Sequence, residues 1–187
     1  MIKITGTQAE PITLEEAKLH LRVDGSLEDT LIDGLITAAR EYCENYTGRS
    51  FASQSIEYFL NAFPSGGIDL PRKPIDEVTS ISYKDQDGVE TALVEGVDYI
   101  LDVDSARIAL PYGKVWPSFT PYPLSPIKIE YSAGGTASIP GPVKTAMLLL
   151  IGHWYENREA VLTGSISKQI EFSTKALLDQ YRDRWWD

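Results

Sequence analysis

The sequence predicts an α+β protein: a mainly helical body of about four helices, two at each end of the chain, with a small antiparallel β subdomain inserted between them. Three observations predict it. Residues 13–48 and 142–159 carry apolar side chains at steps of three and four, the period of a helix packed along one side. Residues 51–136 instead hold short β-prone runs separated by turn signals. Finally, Ala146 to Ile151 is apolar without a break, so the helix containing it asks for cover on more than one face. The boundaries read as a helix pair over 1–50, a β segment over 51–136 and a second helix pair over 137–187.

The first helix begins at Thr13. Thr13-Leu-Glu-Glu16 is a capping box, in which each end satisfies the other's free N–H. Leu14, Ala17 and Leu21 form its apolar stripe, and Asp24-Gly25 ends it. Ser26 or Asp24 is placed to cap a second helix, with Glu28 and Asp29 at its positive end. Leu31, Leu35, Ala39, Tyr42, Cys43 and Tyr46 define its expected buried face, and Gly48 its stop. Beyond Phe51 the period changes to two: Ile56, Tyr58 and Leu60 alternate, as do Val78, Ile81 and Tyr83 less cleanly. Asp87-Gly88 marks a turn, and further strands are expected over 97–103, 106–110 and 127–132.

Five prolines between Pro111 and Pro126 make that stretch a loop or an edge, because proline cannot donate to a ladder. Its aromatics Trp116, Phe119 and Tyr122 suit either a lid over its own sheet or a surface for a neighbour. Pro142 opens the long helix Pro142–Glu159, with Val143, Met147, Leu150 and Trp154 as its stripe. A polar connection over 160–172 follows. Ser173 then caps a last helix whose face is Ala176, Leu177, Tyr181 and Trp185.

Composition narrows function. A net charge of −10 over 187 residues repels phosphate backbones, which disfavours direct wrapping of DNA. The acids concentrate before residue 137; after it the charges balance. The single cysteine, Cys43, excludes an internal disulfide and a Cys-based zinc site, and fits a reducing compartment. The start, MIKITGTQAEP, lacks the apolar core of a signal peptide, and no apolar run approaches the roughly 18 residues of a membrane span. A soluble, unexported protein is expected.

The chemistry-bearing motifs are sparse. His20 and His153 fall on different helices, with no HExxH or cysteine cluster, so no metal site or cofactor is expected. No GxSxG elbow or phosphate-cradling glycine loop occurs. A carboxylate-based hydrolase in the β segment would need two or more of Asp69, Asp85, Asp98, Asp102 and Asp104 to converge. A small nucleic-acid-binding module would rest on Arg182, Arg184, Trp185 and Trp186, the chain's one basic and aromatic cluster. The third possibility is assembly. Trp154, Tyr155, Arg158 and Glu159 of the long helix and Trp116 of the proline-rich loop are the candidate subunit-interface residues; tryptophan, tyrosine and arginine are enriched where interfaces are anchored.

The chain also resembles a known family, the head–tail connector (adaptor) proteins of long-tailed bacteriophages and prophages. The resemblance covers most of the sequence. It rests on PITLEEAKLHLRVD followed by LEDTLIDGLITAAREYCENYTGRSF, then DLPRKPIDEVTSISYKDQDG, DYILD, Trp116-Pro117 and IEYSAGG. It closes with PGPVKTAMLLLIGHWYENRE and LLDQYRDRWW. Many members begin the last helix with proline, where this chain has Ser173-Thr174. The resemblance implies a structural virion protein, not an enzyme, at the head–tail junction, waiting in the bacterial cytoplasm before assembly. Its expected partners are copies of itself in a dodecameric ring, the portal protein, tail-completion or stopper proteins, and double-stranded DNA passing without sequence-specific binding, with no membrane. An acidic channel would let DNA through without adhesion, with Glu28, Asp29 and Asp33 as candidate lining residues.

Overall fold

The computed structural model describes residues 1–7, 9–135, 139–158 and 166–183. The chain divides into two compact units, one formed by Met1–Gln8 and Ser53–Ala137, the other by Ala9–Ala52 and Ser138–Asp187. One is β and the other helical, the α+β composition the sequence predicts.

The β unit has eight strands among its described residues: β1 (Ile2–Thr7), β2 (Gln54–Leu60), β3 (Ile68–Asp69), β4 (Ile75–Lys84), β5 (Glu90–Leu93), β6 (Ile100–Asp102), β7 (Arg107–Ala109) and β8 (Ile127–Ala133). Five of them form an antiparallel sheet in the order β1-β2-β8-β4-β5, and the other three a small sheet in the order β3-β7-β6. Strand β8 is central because it alternates cleanly. Ile127, Ile129, Tyr131 and Ala133 are buried, whereas Lys128, Glu130 and Ser132 point to the other face. Its register sets Tyr131 opposite Ile56 of β2 and Ile129 opposite Ile81 of β4, so one sheet face is a continuous apolar layer. Each such buried side chain contributes roughly 1.5–3 kcal/mol relative to exposure. The Asp87-Gly88 turn stands where expected, joining β4 and β5, with Gly88 at φ +81°. Strand β1 was not apparent in the sequence; it is an edge strand carrying a register irregularity between Ile4 and Gly6.

The helical unit holds α1 (Leu14–Leu21), α2 (Asp29–Thr47), α3 (Gly141–Glu156) and α4 (Ile166–Leu178), followed by a single 3-10 turn, Asp179–Tyr181. The capping box is present: Thr13 Oγ1 accepts the Glu16 N–H, and Glu16 Oε2 accepts the Thr13 N–H, both at 3.2 Å. Four expectations are corrected. Helix α1 stops at Arg22, in the left-handed region at φ +57°, before Asp24-Gly25. Helix α2 is capped by neither Ser26 nor Asp24; its N-cap is Glu28, whose side chain is engaged elsewhere. The buried face of α2 is turned by about one residue, to Ile32, Ile36, Ala39, Arg40, Cys43, Glu44 and Thr47. Leu31 is left 39% exposed. Counting apolar residues misplaces that face because three of its members are polar. Last, Ser173 lies inside α4 and is not its cap, and the stretch expected to be a connection is helical from Ile166. Ala176 is exposed and Leu178 is buried in the face's place; Trp185 falls outside the described residues.

Candidate functional site

The long apolar helix α3 is covered by its own chain. Val143, Ala146, Met147, Leu150 and Ile151 are buried against Ile12, Ala17, Ile32, Ile36, Ala39, Cys43, Phe51 and Leu178. Leu149, 37% exposed, is the α3 side chain among the exposed large apolar residues. The cover that α3 asks for on more than one face comes from α1, α2 and α4 of its own chain. Trp154, expected at an interface, is half-buried and meets Tyr42 of α2 edge to face, ring centroids 6.3 Å apart.

Past Trp154, the end of α3 carries a polar cluster. Asn157 ends the helix, its side chain amide donating to the His153 carbonyl at 2.9 Å. The Tyr155 hydroxyl donates to Glu28 Oε2, and Arg158 Nη2 donates to Glu28 Oε1. The Arg158 guanidinium also lies 4.8 Å from the Tyr155 ring centroid. Glu28, read from the sequence as an acid at the positive end of the second helix and as a candidate lining residue, is thus the hub joining the start of α2 to the end of α3. The Tyr155 hydroxyl, then Arg158, hold its carboxyl below the ordinary range. The same carboxylate raises the Tyr155 phenol. Two sequence-read interface residues, Tyr155 and Arg158, are brought together here, and Glu159 lies outside the described residues.

A second network is fully inside the unit. Arg40, 4% exposed, donates from Nε to Glu10 Oε2 and from Nη1 to Glu44 Oε2, each at 2.8 Å. The other Glu44 oxygen accepts the Phe51 and Ala52 N–H groups at 2.8 and 3.3 Å. Glu10 also accepts the Thr37 hydroxyl at 3.0 Å. Sequence reasoning missed this network; its signal was an Arg–Glu pair at i,i+4 flanking Cys43, on a helix side otherwise apolar.

In the β unit the proline-rich loop is a lid. Trp116 stacks on Phe63, centroids 4.7 Å apart and planes 4° off parallel, and its Nε1–H donates to the Gly66 carbonyl at 2.9 Å. Phe119 lies against Tyr83 at 4.5 Å. The opposite, polar face of the larger sheet forms a concavity of about 510 Å³ lined in part by Thr5, Ser55, Glu57, Glu77, Thr79 and Glu130. Glu130 accepts the Ser80 hydroxyl at 2.6 Å and the Lys128 ammonium at 2.9 Å. Those donors hold its carboxyl below the ordinary range, which unfits it as a general acid near neutral pH.

Four of the aspartates named for a hydrolase are held in local contacts, and Asp69 and Asp102 stand opposite Arg107 on the strands either side of it. Asp69 lies 3.8 Å from Arg107. Asp85 accepts the Asp87 and Val89 N–H groups at 3.0 and 2.9 Å. Asp98 accepts the Val94 N–H at 2.9 Å, and Asp102 the Ser105 hydroxyl at 2.7 Å. Each stabilises its own turn or strand pair. Among the described residues no group of three or more His, Cys, Asp or Glu is placed to hold a metal ion, and no helix is long and apolar enough to cross a membrane. Of the basic cluster proposed for nucleic acid, Arg182 lies over the Tyr46 ring at 5.9 Å; Arg184, Trp185 and Trp186 are outside the described residues.

Comparison with known proteins gives two findings. Residues 11–95 match the model of the phage gp6-like head-tail connector protein family, the resemblance read from the sequence. No curated protein matches the chain. Among solved structures, a chain in the virion of a native gene transfer agent particle superposes with a TM-score of 0.76 at 23% identity, over 97% of this chain and 95% of that one. A chain in the neck of the empty particle, computed with C6 symmetry, gives 0.73 at 23% identity over 97% and 95%. One in the neck of the native particle, computed with C12 symmetry, gives 0.73 at 22% identity over 96% and 94%. These chains have the same fold across both units.

Proposed function

We propose that this chain is a head–tail connector subunit, a structural protein of the virion neck that assembles into a ring. The family match over residues 11–95, on a chain whose whole fold recurs in particle necks, carries the reading. The ring has twelve copies, sits below the portal protein, extends the DNA channel and receives the tail-completion or stopper proteins. It is not an enzyme, and it takes no cofactor. The engagement of Asp69, Asp85, Asp98 and Asp102 in local contacts supports that reading over a carboxylate hydrolase.

The charge fits passage of DNA. At −10 per subunit, a ring repels a phosphate backbone over about a Debye length, roughly 8–10 Å in physiological salt. Subunit contacts include Tyr155 and the half-exposed Arg158, held in place by Glu28. Trp154 and Trp116 act mainly by fixing their own units, so they shape the interface without forming its centre.

The test is assembly. Light scattering and electron microscopy of the purified chain, alone and with its portal, should show closed rings. A strict monomer at high concentration with portal present would overturn the proposal.

A further inference from the structure

Helix α2 turns an uncovered side outward. Leu27, just before the helix, is fully exposed; Leu31 is 39% exposed, and Gly34 and Ala38 are exposed along the same line. Positions 31, 34 and 38 step by three and four, so they form one strip along α2, and Leu27 lies just before its start. The strip begins with large aliphatic side chains and continues into small ones, leaving a shallow groove. Helix α4 carries the converse feature. Phe172 is 75% exposed, and Ala176 is exposed one turn further along the same side. Both helices pack on α3, so each turns this outer side away from the core it shares.

Charge agrees with shape. The exposed charges of α2 are the acids Asp33 and Glu41, whereas α4 exposes Lys175 one turn beyond Phe172. A knob and a groove of opposite charge on one subunit are what a head-to-tail contact requires: different patches meet, and repetition closes a ring. A two-fold contact would instead set α2 against α2, with acid facing acid.

We propose that the occupant of the α2 strip is the α4 helix of a second copy, with Phe172 seated over Gly34 and Ala38 and Leu27 and Leu31 closing around it. This rests on the ring reading and names its interface. The Glu28–Tyr155–Arg158 cluster borders the contact, because Glu28 adjoins Leu27 and fixes the start of the strip.

The test is a cysteine pair, Ala38→Cys with Ala176→Cys, oxidised mildly in the full chain, with wild-type assembly measured in parallel by light scattering with and without portal. Cys43 stays out of the reaction, since burial pushes its thiol up to about 12. The double variant should give a ladder of cross-linked oligomers on a non-reducing gel. Either single variant alone should stay monomeric, and adding Phe172→Asp should abolish the ladder while leaving circular dichroism unchanged. A ladder that survives Phe172→Asp, or dimers from Ala38→Cys alone, overturns the head-to-tail pairing. Wild-type rings without a ladder from the double variant overturn this interface and leave the ring reading standing. A monomeric wild type with no ladder overturns both.

Discussion

Replacing Arg40 by methionine should destabilise the helical unit by about 3 kcal/mol. Glu44, whose side chain is 2% exposed, would keep its charge but lose the guanidinium 2.8 Å away. Removing one partner of a buried pair costs roughly 3–5 kcal/mol, mostly the cost of the charge left behind. The lower end applies here. Glu44 retains the Phe51 and Ala52 N–H groups, and Glu10, with a side chain 31% exposed, can turn to water. With a urea slope of about 2 kcal/mol per molar, the midpoint falls by about 1.5 M, read by far-UV circular dichroism, in which helices dominate. Arg40→Met with Glu44→Leu removes both charges, which for many buried pairs is nearly neutral. Here the Phe51 and Ala52 N–H groups then lose their acceptor, at about 1–3 kcal/mol for each one left unsatisfied. The double variant should therefore stay at least 1 kcal/mol below wild type, by the same estimate. A single variant within about 1 kcal/mol of wild type, or a double variant fully restored, would show that the pair is not buried and satisfied in this way.

Further predictions concern single contacts. Gly67→Ala should cost about 1–3 kcal/mol in the β unit, because a Cβ there would stand 2.6 Å from the Ile108 carbonyl oxygen; urea melts followed by near-UV dichroism check it. Leu150→Asp, placing a carboxylate in the core around α3, should unfold the helical unit, with loss of far-UV signal. Arg158→Glu should leave the subunit folded but impair assembly, since it sets a second carboxylate against Glu28; equal unfolding of this variant and Leu150→Asp by circular dichroism would contradict it. The Glu28 carboxyl is depressed in the folded state, so its contribution is present above the unfolded pKa and lost as pH falls through the folded one. The difference in Tm between wild type and Glu28→Gln should thus be present at neutral pH and vanish in acid.

The parts legible in the sequence are those where one local rule acts without competition. The Thr13 capping box, the Gly88 turn, the strand expected over 127–132 and the stripe of α3 each rest on neighbours within a few residues. The misreadings occur where a distant partner overrides the local pattern. The face of α2 was misplaced because Arg40 and Glu44 are buried by pairing with each other and with Glu10, Phe51 and Ala52, which hydrophobic periodicity cannot register. Ser26 and Asp24 lost the cap of α2 to Glu28, whose side chain answers to Tyr155 and Arg158, more than a hundred positions away. Ser173 looked like a cap, yet Ile166, Ile170 and Thr174 before and after it already step at helical intervals. Strand β1 is held by pairing with β2 across some fifty residues of chain, which no local pattern registers. Among the interface candidates, Tyr155 and Arg158 were legible as residue types; that Glu28 positions them was not.

Electron microscopy of the chain assembled with its portal tests the connector account most directly. A closed ring of twelve copies around an open channel is expected, with subunits repeating head to tail. Monomers throughout, or closed two-fold dimers without a channel, would contradict it.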